Sequence, residues 1–270
     1  MTRPEHLPDF DAPPLHEVAL GVQYAPIQEY QQILAGEVWN LFREDFPLVE
    51  EHQALSPMFE TFGLPQSGQR INLGIVTGIV PDRYWFLTAN KEELIQFQHD
   101  RMLHNWRKIG DGSNEYPRFE NMVVKFENEL RSLEKFYSDI SKQEFQINQC
   151  EVTYINHIQY NQDTMNGLPD EWIRFLKFDE LDPSDFVVRF RRVILDNEDK
   201  PYGRLICDVN SAFDDDKGPI ILLNIVARGA PRETNIDSAL EFLRHGRELV
   251  VNLFAEVTTH VAHERWERTQ

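Results

Sequence analysis

Gln96-Phe97-Gln98-His99-Asp100-Arg101-Met102-Leu103-His104-Asn105-Trp106-Arg107-Lys108 carries both a strand signal and the densest set of gripping side chains in this 270-residue chain. Ile95 and Phe97 alternate with Gln96 and Gln98, the period of two that marks a half-buried strand. Continued without a break, the alternation places Gln96, Gln98, Asp100, Met102 and His104 on one face, and Ile95, Phe97, His99, Arg101, Leu103 and Asn105 on the other. A guanidinium on the side of Phe97 either leaves the core there or is buried. A buried one needs an anionic or hydrogen-bonding partner. On this geometry Asp100 points away from Arg101, so the partner is expected from elsewhere in the fold. Arg101, Asn105 and Arg107 read either as a polar network tying strand to helix or, with Trp106, as a binding surface, because Trp and Arg are common interface anchors.

Around this stretch the chain divides by hydrophobic period. Val18 to Tyr24 is almost continuously apolar, as a central strand would be, and Pro26 ends it. Ile33, Leu34, Val38, Leu41 and Phe42 give helical spacing over 27–46, up to Pro47. Residues 48–72 read as an irregular loop. Arg83 to Thr88 pairs with a strand from Glu93 to about Arg107. Pro117 to Tyr137 is an amphipathic helix with the stripe Met122, Val123, Phe126, Leu130 and Leu133. Glu144 to Gln159 returns to strand, and a short helical piece lies around Asp170 to Phe175. Phe186 to Leu195, Gly203 to Val209 and Pro219 to Ala227 form an antiparallel meander. Thr234 or Asn235 caps a last helix running to about Trp266.

This order predicts an α+β fold: an antiparallel sheet or sheets with long amphipathic helices packed on one face. It also hints at two related halves, 1–143 and 144–270, each with strands followed by a long helix. No letter-level repeat accompanies them.

Hydrophobic residues at 41% suffice for a core, and charged residues at 27% are ordinary for a water-exposed surface. A net charge of −18 argues against direct nucleic-acid binding, which needs a basic footprint; it favours solubility and suits a basic partner. Cys150 and Cys207 lie far apart without metal-ligand spacing, which fits buried thiols in a reducing compartment. The N-terminus lacks an apolar signal core, and no apolar run approaches membrane-spanning length. The expected location is the cytoplasm.

Catalytic signatures are weak. Asp214, Asp215 and Asp216 supply hard oxygen ligands but not the calcium-loop spacing. His260 and His263 stand three apart beside Glu264, without the histidine spacing of a zinc protease helix. Asp208 with Asp185 or Glu151 is the barest outline of a metal-dependent nuclease. There is no phosphate-binding glycine loop and no Gly-x-Ser-x-Gly elbow. The expectation is no cofactor and no metal. Tyr154 and Asn156 share a strand face and, with Gln98 and Asn105, could line a polar pocket. The alternative is hydrogen bonding that secures sheet register.

Several segments together resemble an uncharacterised, sporadically distributed bacterial family of roughly this length. They are Pro13-Pro14-Leu15 leading to Glu17-Val18, the block Gln98-His99-Asp100-Arg101 through Asn105-Trp106-Arg107, Glu151-Val152-Thr153-Tyr154-Ile155-Asn156, and a closing helix with Phe254, Thr258 and Trp266. The likeness spans nearly the whole chain and implies no established reaction. Patchy occurrence is the distribution of mobile or antiphage-defence genes, which is analogy alone.

The leading expectation is a non-catalytic cytoplasmic binding or regulatory protein that recognises a macromolecular partner, such as a neighbouring gene's product in a defence or toxin–antitoxin locus. Its binding residues would be Gln98, Arg101, Asn105, Trp106, Arg107, Tyr154 and Asn156. The rivals are a metal-dependent phosphodiester-cleaving enzyme and a small-ligand sensor. A homodimer through the last helix or a sheet edge is compatible with the pattern.

Overall fold

The structure is a computed structural model and describes residues 4–62, 82–110, 112–160, 167–178, 181, 183–214 and 218–270. Within them the strands are β1 (Leu15–Tyr24), β2 (Leu48–His52), β3 (Arg83–Leu87), β4 (Glu93–Gln98), β5 (Arg101–Arg107), β6 (Ile147–Gln159), β7 (Val187–Leu195), β8 (Pro201–Asp214) and β9 (Gly218–Gly229). All nine join one sheet in the order β2-β3-β4-β5-β1-β6-β9-β8-β7. Every pairing is antiparallel. The α-helices are α1 (Ala35–Phe42), α2 (Phe119–Ile140), α3 (Ile236–Val257) and α4 (His260–Arg265). The fold is α+β.

The central strands explain the two faces. In β1, Leu20 stands opposite His104 of β5 and Val152 of β6, and Val18 stands opposite Trp106 and Tyr154. These residues, with Phe97, Ile225 and Cys207 further out, point to the side where the helices lie. On that side α1 contacts β3, α2 contacts β1 and β5, and α3 contacts β6, β8 and β9. Phe119, Met122, Val123, Phe126, Leu130, Leu133 and Tyr137 of α2 are all buried. Each such side chain contributes roughly 1.5–3 kcal/mol of transfer free energy. Glu17, Ala19, Gly21 and Gln23 alternate to the opposite face, where polar neighbours await them.

The structure corrects several boundaries. Residues 93–107 are two strands, β4 and β5, joined by a tight turn at His99 and Asp100, where Gln98 pairs directly with Arg101. The turn resets the alternation. Arg101, Leu103 and Asn105 share a face with Gln96 and Gln98, while Met102 and His104 share the other with Ile95 and Phe97. The expected helix over 27–46 is reduced to α1 preceded by a 3-10 turn, because Gln31 takes an extended conformation; Ile33, counted in its stripe, is 82% exposed. The loop expected from residue 48 begins instead with β2, which adds an edge strand against β3.

The last helix is broken. Thr258 is extended and returns its hydroxyl to the Phe254 carbonyl at 2.7 Å, and Thr259 caps α4 by accepting from the Ala262 N–H at 3.1 Å. Of the two residues offered as cap of α3, Asn235 fills the role, accepting from Ser238 N at 2.8 Å. Asp215 and Asp216 lie outside the described residues. No helix among the described residues is long and apolar enough to cross a membrane.

Two glycines mark opposite packing limits. A Cβ on Gly229 would lie 2.5 Å from the Tyr202 carbonyl oxygen and 2.7 Å from Gly203 Cα, so Gly229→Ala must move main chain. A Cβ on Gly36, at the start of α1, meets nothing within 4 Å. Urea unfolding should show Gly229→Ala destabilised by about 2 kcal/mol or more. Gly36→Ala should be unchanged or stabilised by about 0.5–1 kcal/mol.

Candidate functional site

The sheet face away from the helices is polar, yet much of it is covered. Gln96, Gln98, Arg101 and Asn105 are 9%, 2%, 5% and 2% exposed. The chain continuing from β2, residues 53–62, runs without regular structure and contacts side chains of β4, β1, β9 and β8 in turn.

Its grip is specific. Gln98 accepts from Leu55 N at 2.8 Å and donates to the Leu55 carbonyl at 2.9 Å. Gln23 accepts from Met58 N at 3.0 Å and donates to the Met58 carbonyl at 2.6 Å. Each carboxamide thus meets both main-chain groups of one residue, as a neighbouring strand would. At the far end Arg204 and Arg228 close on Glu60, at 2.9 Å and 3.5 Å, and Arg204 donates to the Thr61 carbonyl at 2.8 Å. Arg204 also lies 4.9 Å from the ring centre of Phe62.

Beneath this segment a side-chain network satisfies many of the buried groups, though Gln149 Nε2 and Arg83 Nε have no partner among the described residues. Arg101 donates to Asp100 Oδ1 at 3.3 Å and to Gln23 Oε1 at 3.0 Å. Asp100 is therefore a partner of Arg101 after all, because the turn swings it out of the strand alternation. Gln98 donates to the same Asp100 oxygen at 2.8 Å. Asn105 donates to Glu17 and accepts from Gln96 at 3.1 Å, and Gln96 accepts from Trp85 Nε1 at 3.1 Å. Burial raises the Glu17 carboxyl, opposed by the Asn105 hydrogen bond and the Arg107 charge. Arg107, only half-buried, donates to the Lys91 carbonyl and lies 5.5 Å from the Trp85 ring centre.

The expected cluster is therefore divided by the sheet. Gln98, Arg101, Asn105 and Arg107 lie on the polar face. Trp106, Tyr154 and Asn156 lie on the helix face, so the pocket combining Tyr154 and Asn156 with Gln98 and Asn105 does not form. Tyr154 instead meets the Tyr116 hydroxyl at 3.0 Å, and Asn156 donates to the Leu223 carbonyl at 3.2 Å. Both line a cavity of about 70 Å³ against α2 and α3.

The same helix face buries a charge cluster absent from the expected site. His104 is fully buried, with Nδ1 2.9 Å from Glu129 Oε1 and Nε2 3.2 Å from Glu93, which Lys125 reaches at 2.7 Å. Burial disfavours the charged ring, but the Glu129 charge and the hydrogen bonds the ring donates to Glu129 and Glu93 outweigh it and push His104 up to about 9. Burial would raise the Glu93 carboxyl, yet hydrogen bonds from His104 and Lys125 draw it down to about 2.

The other candidate chemistry has structural occupants. Arg189 holds the Asp208 carboxylate at both oxygens. His263 Nδ1 lies 3.1 Å from Arg268 and Nε2 lies 2.7 Å from Thr258. Arg268 can only donate, so this Nδ1 carries the lone pair and the ring is neutral. Burial and the Arg268 charge hold His263 down at about 4. Cys150 and Cys207 are free, buried thiols raised by burial. Among the described residues no group of three His, Cys, Asp or Glu side chains is arranged to hold a metal ion.

Some of what was missed had a sequence signal. Glu129 stands between Phe126 and Leu133 in the apolar stripe of α2, and Arg247 between Leu243 and Val250 in that of α3. A charge at a core-facing helical position calls for a buried partner. Gln23, Glu60, Arg204 and Arg228 gave no such signal, because their meeting depends on sheet order. Comparison of the sequence with models of protein families and with curated proteins found no match.

The His104 cluster makes stability depend on pH. Its folded value of about 9 exceeds the free value of 6.5, so its contribution is complete below 6.5 and is lost as pH rises through about 9. Glu93 acts oppositely: its contribution is present above 4.5 and is lost as pH falls through about 2. Urea midpoints followed between about pH 6 and pH 10 should fall through this window, by an amount on the order of a few kcal/mol. His104→Gln should lack that fall.

Proposed function

We propose that this chain is a non-catalytic binding protein whose polar sheet face holds an extended, acidic segment of a protein partner, in the place its own residues 53–62 take. The observation that carries this reading is the pair of carboxamides, Gln98 and Gln23, each engaging both main-chain groups of one residue, Leu55 and Met58. Such contacts ignore the side chains of the segment held. Arg204 and Arg228 add a preference for a carboxylate.

The resident segment is suited to exchange. Its Leu55, Met58 and Phe59 are 41%, 48% and 54% exposed, so apolar burial contributes little to holding it. The four carboxamide hydrogen bonds are worth roughly 0.5–1.5 kcal/mol each in net terms. A competing strand that repeats them can take the place at small cost.

The wider reading follows from the same features. The partner is a protein, such as a neighbouring gene's product in a defence or toxin–antitoxin locus, and the location is the cytoplasm. Direct nucleic-acid binding is disfavoured by the net charge of −18. A reading as two related halves, 1–143 and 144–270, draws support from strand order: β1 and β6 are central neighbours, and each borders the last strand of its own half, β5 or β9. A homodimer would use an edge strand, β2 or β7. The rival phosphodiesterase would need Asp208, whose carboxylate is committed to Arg189.

The test is a labelled peptide of sequence 53–62, added to the full chain and followed by fluorescence anisotropy. Glu60→Gln weakens the chain's own segment as competitor, so this variant should bind the peptide about 5–10-fold more tightly than the unaltered chain. Adding Arg204→Gln and Arg228→Gln should remove that gain. Equal affinity in all three chains would sink the proposal.

A further inference from the structure

Two cavities adjoin where the N-terminal segment crosses the first turn of α2, and they share lining residues. The inner one, about 70 Å³, is lined by Tyr154, Arg247 and Phe254. The outer one, about 370 Å³, is lined by Trp106, Lys108 and Asn114. Phe10, Pro13, Leu15, Tyr116 and Arg118 border both. The outer volume falls within the range of small-molecule sites, roughly 300–1,000 Å³.

Each cavity presents a buried donor that no described group meets. Trp106 is 1% exposed, and its only polar atom, Nε1, has no hydrogen-bond partner among the described residues. Arg247 is 4% exposed; its Nη2 reaches Glu120 at 3.1 Å, and its guanidinium also donates to Tyr154 and lies 5.4 Å from the Phe119 ring centre, while its Nε has no partner among them. Buried N–H groups are seldom left unmet, since each lost hydrogen bond costs about 1–3 kcal/mol. The first turn of α2, which lines the inner cavity, also receives no side-chain cap.

The unmet groups are both donors, one on a permanent cation, so they call for an acceptor, best an anionic one. Of the carboxylates lining the cavities, Asp9 is engaged by Arg118 at 3.1 Å and Glu120 by Arg247, while Asp11 and Glu115 are exposed to solvent. Phe10, Trp106 and Tyr116 give the outer cavity aromatic surface, with the Trp106 and Tyr116 ring centres 5.1 Å apart. We infer that these adjoining cavities bind a small aromatic carboxylate, its ring among Phe10, Trp106 and Tyr116 and its carboxylate accepting from Trp106 and Arg247. This site lies across the sheet from the segment 53–62 and does not rest on the function proposed for that face.

The probes are benzoate and phenylacetate, compared with their neutral amides and titrated into the full chain while indole N–H resonances are followed by NMR. Trp106→Phe identifies the Trp106 signal by its disappearance. Phenylacetate or benzoate should shift that signal and raise the thermal midpoint, and the amides should do so far more weakly. Arg247→Lys keeps the charge that pairs with Glu120 but removes Nε–H, and should weaken binding about tenfold, as the loss of one charge-assisted hydrogen bond. An indole signal unmoved by either acid at millimolar concentration overturns the inference, as does an equal response to the amides. Should Arg247→Lys fail to fold, the comparison of acids with amides decides alone.

Discussion

The antiparallel contact between β1 and β6 sets the terms for everything around it. Each strand borders a run of further strands on its outer side, so this pairing makes one sheet of them. Its register, with Leu20 facing Val152 and Ala19 facing Thr153, also decides which side chains meet the helices. Strand alternation has a period of two, so a slip of one residue would carry Val18, Leu20 and Val22 to the polar face and Glu17 and Gln23 beneath α2. The apolar burial of the helix side forbids that slip. The polar face is ordered as a consequence.

A sheet with a polar face normally leaves it to water. Here the chain after β2 covers part of it, and a covered polar surface must be satisfied group by group. The network from Asp100 through Arg101 to Gln23, and from Trp85 through Gln96 and Asn105 to Glu17, does much of this with side chains alone, leaving Gln149 Nε2 and Arg83 Nε unmet among the described residues. What remains at its upper boundary are carboxamides aimed outward at main chain and two arginines aimed at a carboxylate. That boundary holds the chain's own Leu55, Met58 and Glu60. On the helix side the same rule produces the His104, Glu129, Glu93 and Lys125 cluster, where charges taken from water are paired between sheet and helix.

Most of the strands, and the helices α2 and α3, were legible because they rest on local periods, whereas β2 fell within an expected loop. The stripe Met122, Val123, Phe126, Leu130 and Leu133 of α2 is written in the sequence, as is the β7–β8–β9 meander. The turn at His99 and Asp100 was not, because neither glycine nor proline marks it and the polar alternation, counted letter by letter, runs straight through it. That one unseen turn reversed the faces of Arg101, Met102, His104 and Asn105. It hid both the Asp100–Arg101 contact and the burial of His104.

By itself, then, the amino-acid order determined the class of fold, the principal elements and the presence of polar side chains crowded along β4 and β5. Period and propensity act over a few residues, and a sequence states them directly. Only the tertiary structure decided that Gln98 and Asn105 are separated by the sheet from Tyr154 and Trp106. It alone brought Gln23, Arg204 and Arg228 to Glu60, and Trp106 and Arg247 to neighbouring cavities. Those meetings depend on strand order across the sheet, which is settled by the burial of the whole apolar face and by no local run of residues.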